Sequence, residues 1–256
     1  MTSRPLGRLL ATIAAYYAVS ATGFALLARA GIEYSDPRIT WAALPQMLVL
    51  AGLVWWVQRG AWPPVRSLLR RGPDGTAVHL LPLAAVLTVV VVWVEALARG
   101  MFSPVLISSA VLALLIGFAE EGMFRKYLLD AAGPTWRSLV GCTVLSVVSF
   151  GAVHLVNVTG GMPLSAAVGQ SVGALGFGVC FAALYLGTRN IWALVAWHAT
   201  VDFGLFAAHA GDLYSPGLIG LLVDAIVIVS LLLLVVRAWR HRASWRSWPA
   251  LAAARA

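Results

Sequence analysis

An all-α, polytopic membrane helix bundle is the fold class this sequence predicts, and three observations carry it. The 256-residue chain is 61% hydrophobic, with a mean hydropathy of +0.87. Only 11% of its residues are charged, where soluble domains carry about 25%. Several apolar stretches exceed the roughly 18 residues that mark a bilayer-spanning helix. These features exclude an ordinary cytosolic globule, and also a disordered chain, which needs low hydrophobicity.

The apolar runs predict about eight transmembrane helices, at 9–28, 40–57, 77–98, 102–129, 138–156, 165–187, 191–208 and 217–236. Turn-forming residues mark most gaps: Pro37, Pro63-Pro64, Gly72-Pro73, Pro104, Gly133-Pro134, Gly160-Gly161 and Pro216. No linker is long enough to separate two domains and no repeat is visible, so residues 1–256 read as a single integral membrane domain. The first run is preceded by Arg4 and Arg8 and followed by Ala28-Arg29-Ala30, which imitates a signal peptide. Its ~20 apolar residues exceed the 7–15 of a signal core, so it reads as a retained span.

Charge gives the orientation. With an even number of spans both termini share a side. Placing them in the cytoplasm puts 15 Lys and Arg there, against Arg29, Arg38 and Arg99 outside. Several tryptophans, among them Trp55, Trp56, Trp62, Trp136 and Trp192, fall near the same interface, as amphipathic anchors do. The net charge of +8 therefore reads as cytoplasmic loops facing anionic lipid. No basic block is interleaved with aromatics, so nucleic acid is excluded as a partner. The lipid bilayer is the expected surrounding. Cys142 and Cys180 lie inside apolar runs and read as packing residues rather than redox groups.

Ionisable groups at bilayer depth cost at least about 2.5 kcal/mol each and point to function. Here they are Glu95, Glu120, Glu121, His154, His198, Asp202 and Asp224. Glu121 and Arg125 are four apart and share a helix face, so they pair. Glu120 points about 100° away with no local counter-ion, which suits a general base or acid. Phe150 precedes His154 by one turn and shields a face of the imidazole. His198 and Asp202, again four apart, put an imidazole and a carboxylate on one face, suggesting a lined cavity. At 1.5 Å per residue, Glu120 and His198 are level, whereas His154 falls about 10 Å higher on straight helices. Glu95 is expected to pair with Arg99, and Asp224 to make a packing hydrogen bond. Gly169 and Gly173 form a G-x-x-x-G expected to let helices approach closely within the bundle.

Three motifs stand in order: EEGMFR at 120–125 as E-E-x-x-x-R, FGAVH at 150–154 as F-x-x-x-H, and HATVD at 198–202 as H-x-x-x-[N/D]. This set resembles the CPBP family, which holds the type II CAAX prenyl endopeptidases and the bacterial bacteriocin-processing or immunity proteins. The resemblance covers about 103–208. It implies an intramembrane endopeptidase in which Glu120 and His154 activate a water for attack on a peptide bond. His198 and Asp202 would then polarise or stabilise the developing oxyanion, and Glu121 and Arg125 would orient the site. Asp202 stands where the prenyl endopeptidases usually show Asn. An ionised carboxylate cannot donate to an oxyanion, so Asp202 is either protonated or orients His198.

The resemblance also raises a metal, because Glu120, His154, His198 and Asp202 are ligand types that suit zinc. No H-E-x-x-H stretch is present, and glutamate chemistry without a cofactor is the reading taken, with zinc the alternative. The substrate is expected to be a leader or membrane-associated peptide, prenylated or not. The polar cavity is expected to open toward the cytoplasm. The 17 Arg against one Lys and the Ala-rich composition suggest a bacterial inner (plasma) membrane. Two rival functions remain: a non-proteolytic immunity or scaffold protein of the same fold, and a small transporter using the buried acids and histidines as a relay.

Overall fold

The computed structural model describes residues 6–69, 104–132 and 136–211, with single helical positions at Val90, Val94, Ala98, Leu232, Val236 and Arg240. Most of the predicted spans 77–98 and 217–236, with Glu95, Arg99 and Asp224, lie outside the described residues. The elements are α1 (Leu6–Arg29), α2 (Ile39–Ala42), α3 (Leu44–Val57), a 3-10 turn (Val65–Leu69) and α4 (Pro104–Glu120). A π-helical segment (Glu121–Tyr127) continues α4. Then come α5 (Trp136–Val153), a second 3-10 turn (His154–Gly160), α6 (Leu164–Thr188) and α7 (Ile191–Gly211). Among the described residues there is no strand.

Among the described residues five helical stretches are long and apolar enough to cross a membrane: Leu6–Arg29, Ile39–Val57, Pro104–Tyr127, Leu139–Gly160 and Leu164–Thr188. They coincide with the predicted first, second, fourth, fifth and sixth spans. The predicted seventh is helical, but its apolar part, Ile191–Phe206, is shorter. The protein is a multi-pass membrane protein. Its outer surface fits that solvent: Val140, Val144 and Val148 recur every fourth residue on α5, and all are exposed.

The helices do not pack in simple sequence order. α4 has its most extensive contact with α7, α5 lies along α6, and α1 covers the 3-10 turn that follows α5. Small residues allow the closest approach, as expected where lipid supplies no hydrophobic drive between helices. A Cβ at Gly117 would come within 2.8 Å of Val195 O and 3.0 Å of Ala199 N. Gly117 therefore lets the α4 backbone touch that of α7 next to the first and third motifs. Gly169 and Gly173 behave otherwise than expected. Among the described residues a Cβ at either would meet nothing within 4 Å, so these glycines do not face into a contact between the described helices.

Side-chain bonds define two ends of the bundle. At one end Asn190 Nδ2 donates to Leu68 O at 2.9 Å, Trp192 Nε1 to Pro63 O at 2.9 Å, and Arg189 faces Asp130 at 3.6 Å. Arg189 turns the chain from α6 into α7 with a left-handed φ of 56°, and Asn190 Oδ1 caps α7 by accepting from Ala193 N at 3.2 Å. At the other end Tyr34 N donates to Gly160 O at 2.8 Å, and Thr40 meets Ser108 at 2.9 Å.

Candidate active site

The chain breaks regular α-helical geometry where α4 reaches the first motif. Glu121–Tyr127 is π-helical, a form that occurs in short pieces and often at functional sites. Two side chains from neighbouring elements bond to its carbonyls. Gln58 Nε2 donates to Gly122 O at 2.9 Å, and Ser146 Oγ donates to Phe124 O. Both donors are buried. A buried polar atom without a partner is costly, so these two bonds help hold the altered backbone. Neither Gln58 nor Ser146 was singled out from sequence. The signal available was an amide and a hydroxyl in otherwise apolar surroundings.

The π segment presents Glu121 and Arg125 to the interior, both with 0% side-chain exposure and 3.3 Å apart (Oε2 to Nε). The expected pair is present, and it is part of a larger group. Glu121 Oε1 also accepts from His198 Nδ1 at 2.7 Å, which is in the range of a charge-assisted bond. The guanidinium of Arg125 lies 3.9 Å from the Phe150 ring centroid and 5.2 Å from that of Phe181. Its buried nitrogens have no hydrogen bond among the described residues. Two aromatic faces and one carboxylate thus surround the cation, a cation–π arrangement strengthened by exclusion of water.

His198 is clamped by the same rings. Phe181 stacks on it at 5.9 Å and 10°, and Phe150 approaches edge-on at 5.9 Å. With Nδ1 bound to Glu121, its Nε2 sits 3.6 Å from Glu120 Oε2 and 3.6 Å from Asp202 Oδ2. Glu120, without a local counter-ion in the sequence, therefore faces the imidazole of α7. Its Oε2 has no hydrogen bond among the described residues, leaving an acceptor free in the site.

His154 begins the 3-10 turn after α5. Its Nδ1 donates to Phe150 O at 2.9 Å, and the Phe150 ring meets it edge-on at 5.2 Å. In the neutral ring this fixes the lone pair on Nε2. The straight-helix estimate set His154 too high to join Glu120 and His198. They nevertheless line one cavity of about 450 Å³, together with Asp202. A cavity wall does not require the four groups to be level.

Further polar residues line this cavity that the motifs did not mark. Asn157 Nδ2 donates to Gln170 Oε1 at 2.8 Å, and Gln170 Nε2 reaches Tyr34 Oη at 3.4 Å. Burial holds the Tyr34 phenol above its ordinary pKa, so it stays a hydroxyl near neutrality. At the rim Arg38 binds Asp36 through its side chain, which keeps that carboxyl below the usual range. Tyr16 is 1% exposed, and its hydroxyl has no hydrogen bond among the described residues. Amides and phenols in apolar spans were the readable signal for Tyr16, Gln46, Asn157 and Gln170, all of which contribute to the wall.

The cavity runs opposite to the expected direction. It extends from the level of Glu120 and His198 to the loops at Tyr34–Pro37 and Gly161–Pro163, away from the end that carries Arg59, Arg66 and Arg189. Toward the basic end the chain is packed solid, with every residue from Glu121 to Leu129 buried. Trp62 and Trp192, expected as interfacial anchors, contribute to that packing: Trp62 stacks on Phe118 at 4.6 Å and meets Trp192 at 5.4 Å. Cys142 and Cys180 are free thiols, half-buried rather than fully packed.

Among the described residues, no three His, Cys, Asp or Glu side chains form a group arranged to hold a metal ion. Glu120, His154, His198 and Asp202 have suitable donor chemistry, and with Nδ1 of His198 bound to Glu121 its Nε2 is the nitrogen that would be left for a metal.

The described helices thus gather two carboxylates and two imidazoles, Glu120, Asp202, His154 and His198, around one cavity walled largely by apolar side chains. Residues 102–204 match the family model described as Type II CAAX prenyl endopeptidase Rce1-like. The match covers less than half of the chain's length but includes all three motifs. No match was found among curated proteins or among solved structures.

Proposed function

We propose that this protein is an intramembrane endopeptidase that hydrolyses leader or membrane-associated peptides by glutamate chemistry, within a single membrane domain of eight spans with both termini in the cytoplasm. The bacterial inner (plasma) membrane is the proposed location. The observation that most supports this reading is Glu120 Oε2, which faces His198 Nε2 at 3.6 Å and has no hydrogen bond among the described residues.

In the proposed reaction Glu120 takes a proton from a water held between it and His154, whose Nε2 serves as acceptor. The resulting hydroxide attacks the peptide carbonyl. His198 in its imidazolium form, which carries a proton on Nε2 as well as on the Nδ1 bound to Glu121, and the Tyr16 hydroxyl are the proposed donors to the charge that develops. Glu120 then passes its proton to the leaving amine, as one general base–acid does in both directions. Glu121 orients His198 through Nδ1, while Arg125, held on Phe150, orients Glu121. Asp202, a carboxylate where Asn is usual, acts on the Nε2 side of His198 rather than as a donor.

Zinc remains the alternative reading, and metal content measured alongside activity tests it. The proteolytic reading as a whole is tested by Glu120→Gln, which keeps shape and removes the base. A scaffold or immunity protein would tolerate that change; a protease would lose cleavage by at least ~10²-fold.

A further inference from the structure

We propose that the site is entered from the extracytoplasmic face of the membrane, where it takes an extended, largely apolar peptide segment presented on that side. That a peptide enters rests on the proteolytic reading above; the direction of entry rests on geometry and charge alone.

The cavity is closed at one end and bounded by exposed chain at the other. Its floor is the level of Glu120 and His198, beneath which the π segment and residues to Leu129 are buried. Its rim is loop: Ser35, Pro37, Gly161 and Pro163 line it and are exposed. From the floor at Glu120 and His198 the lining residues run toward that rim: Ile116 and Leu112 on α4, Asp202, Leu205 and Phe206 on α7, and Gln170 and Ala166 on α6. On α1 these are Tyr16, Ser20 and Phe24, and no residue before Tyr16 contributes.

The charges are distributed the other way. Arg8, Arg59, Arg66, Arg137 and Arg189 lie at the closed end. Among the described residues the rim end has Arg29 and Arg38, with Glu33 and Asp36 beside them, and Arg38 is bound to Asp36 at 2.6 Å. Basic residues are retained on the cytoplasmic side of short loops, so the closed end is cytoplasmic and the rim extracytoplasmic. A space of about 450 Å³ is in the range of small-ligand clefts. It admits a few side chains of an unfolded strand and excludes a folded domain. Leu112, Ile116 and Val153 supply apolar wall, and the Asn157–Gln170–Tyr34 chain supplies amide and hydroxyl partners for a peptide backbone.

The test uses the full chain in spheroplasts, with Cys142 and Cys180 replaced by Ser and one reporter added at a time. Ser35→Cys and Glu33→Cys report the rim, and Arg59→Cys and Arg66→Cys the closed end. Two reporters at each end guard against one that fails to fold. A bulky, charged, membrane-impermeant maleimide is expected to shift the mass of the rim reporters in intact spheroplasts, and of the others only after permeabilisation. Rim reporters that react only after permeabilisation, or closed-end reporters that react without it, overturn the proposal. The labelling pattern does not depend on catalysis and is measured also in Glu120→Gln. Loss of proteolysis as an explanation would therefore leave the orientation result standing, and the reverse.

Discussion

His198 Nδ1 donates to Glu121 Oε1 at 2.7 Å, tying the first motif to the third across 77 positions of sequence. This bond gives the two adjacent glutamates different work. Glu121 accepts from His198 on Oε1 and faces Arg125 at 3.3 Å on Oε2, whereas the one ion contact of Glu120 among the described residues is the longer one to His198, 3.6 Å.

Glu121→Gln and Glu120→Gln should therefore differ in stability. Breaking one partner of a buried ionic group costs about 3–5 kcal/mol, so Glu121→Gln is expected to lower the Tm of the purified protein in detergent and abolish activity. Glu120→Gln should abolish activity with a Tm close to wild type. Equal Tm losses in the two would contradict the division of roles.

The backbone contact at Gly117 makes a second expectation. A methyl group there would press on Val195 O and Ala199 N, separating α4 from α7 and pulling Glu120 and Glu121 from His198. Gly117→Ala is expected to reduce cleavage strongly and cost about 1–3 kcal/mol, the usual scale of overpacking. Gly169→Ala, whose added methyl meets none of the described residues, should change neither. Comparison of the two by thermal unfolding and peptide cleavage checks this.

Tyr16 lines the cavity, and among the described residues its hydroxyl has no hydrogen bond. If it stabilises the oxyanion, Tyr16→Phe should lower kcat by about 10²-fold, on the scale of one lost oxyanion donor, with KM little changed. A rise in KM at constant kcat would instead mark Tyr16 as a binding residue.

Metal removal separates the two chemistries. Glutamate chemistry expects purified protein without stoichiometric zinc to cleave, and chelator treatment to leave the rate unchanged. Activity that is lost with chelator and restored by added zinc would favour the metal reading.

Much of this site was legible because ionisable residues are so rare in apolar spans that their spacing stands out. The i, i+4 relationships of Glu121 with Arg125 and of His198 with Asp202 both hold in space. Helix periodicity could not show which residue of α7 meets which residue of α4, so the Glu121–His198 bond was invisible. Nor could it show the π segment, whose carbonyls bond to Gln58 and Ser146 from other elements. The direction of the cavity was misread for a related reason. The glutamates lie near the basic end in sequence, but the chain beyond them packs against Trp62 and closes that end, leaving the opening at the far loops.

The central claim, that Glu120 performs peptide hydrolysis in this cavity, is tested most directly by comparing membrane and exported peptides from cells producing equal amounts of wild type and Glu120→Gln. New peptide termini found only with wild type are the expected result, and they would also name the substrate. Identical peptide sets in the native host, with any wild-type phenotype retained by Glu120→Gln, would contradict the account and leave the constellation a packing arrangement in a non-proteolytic protein.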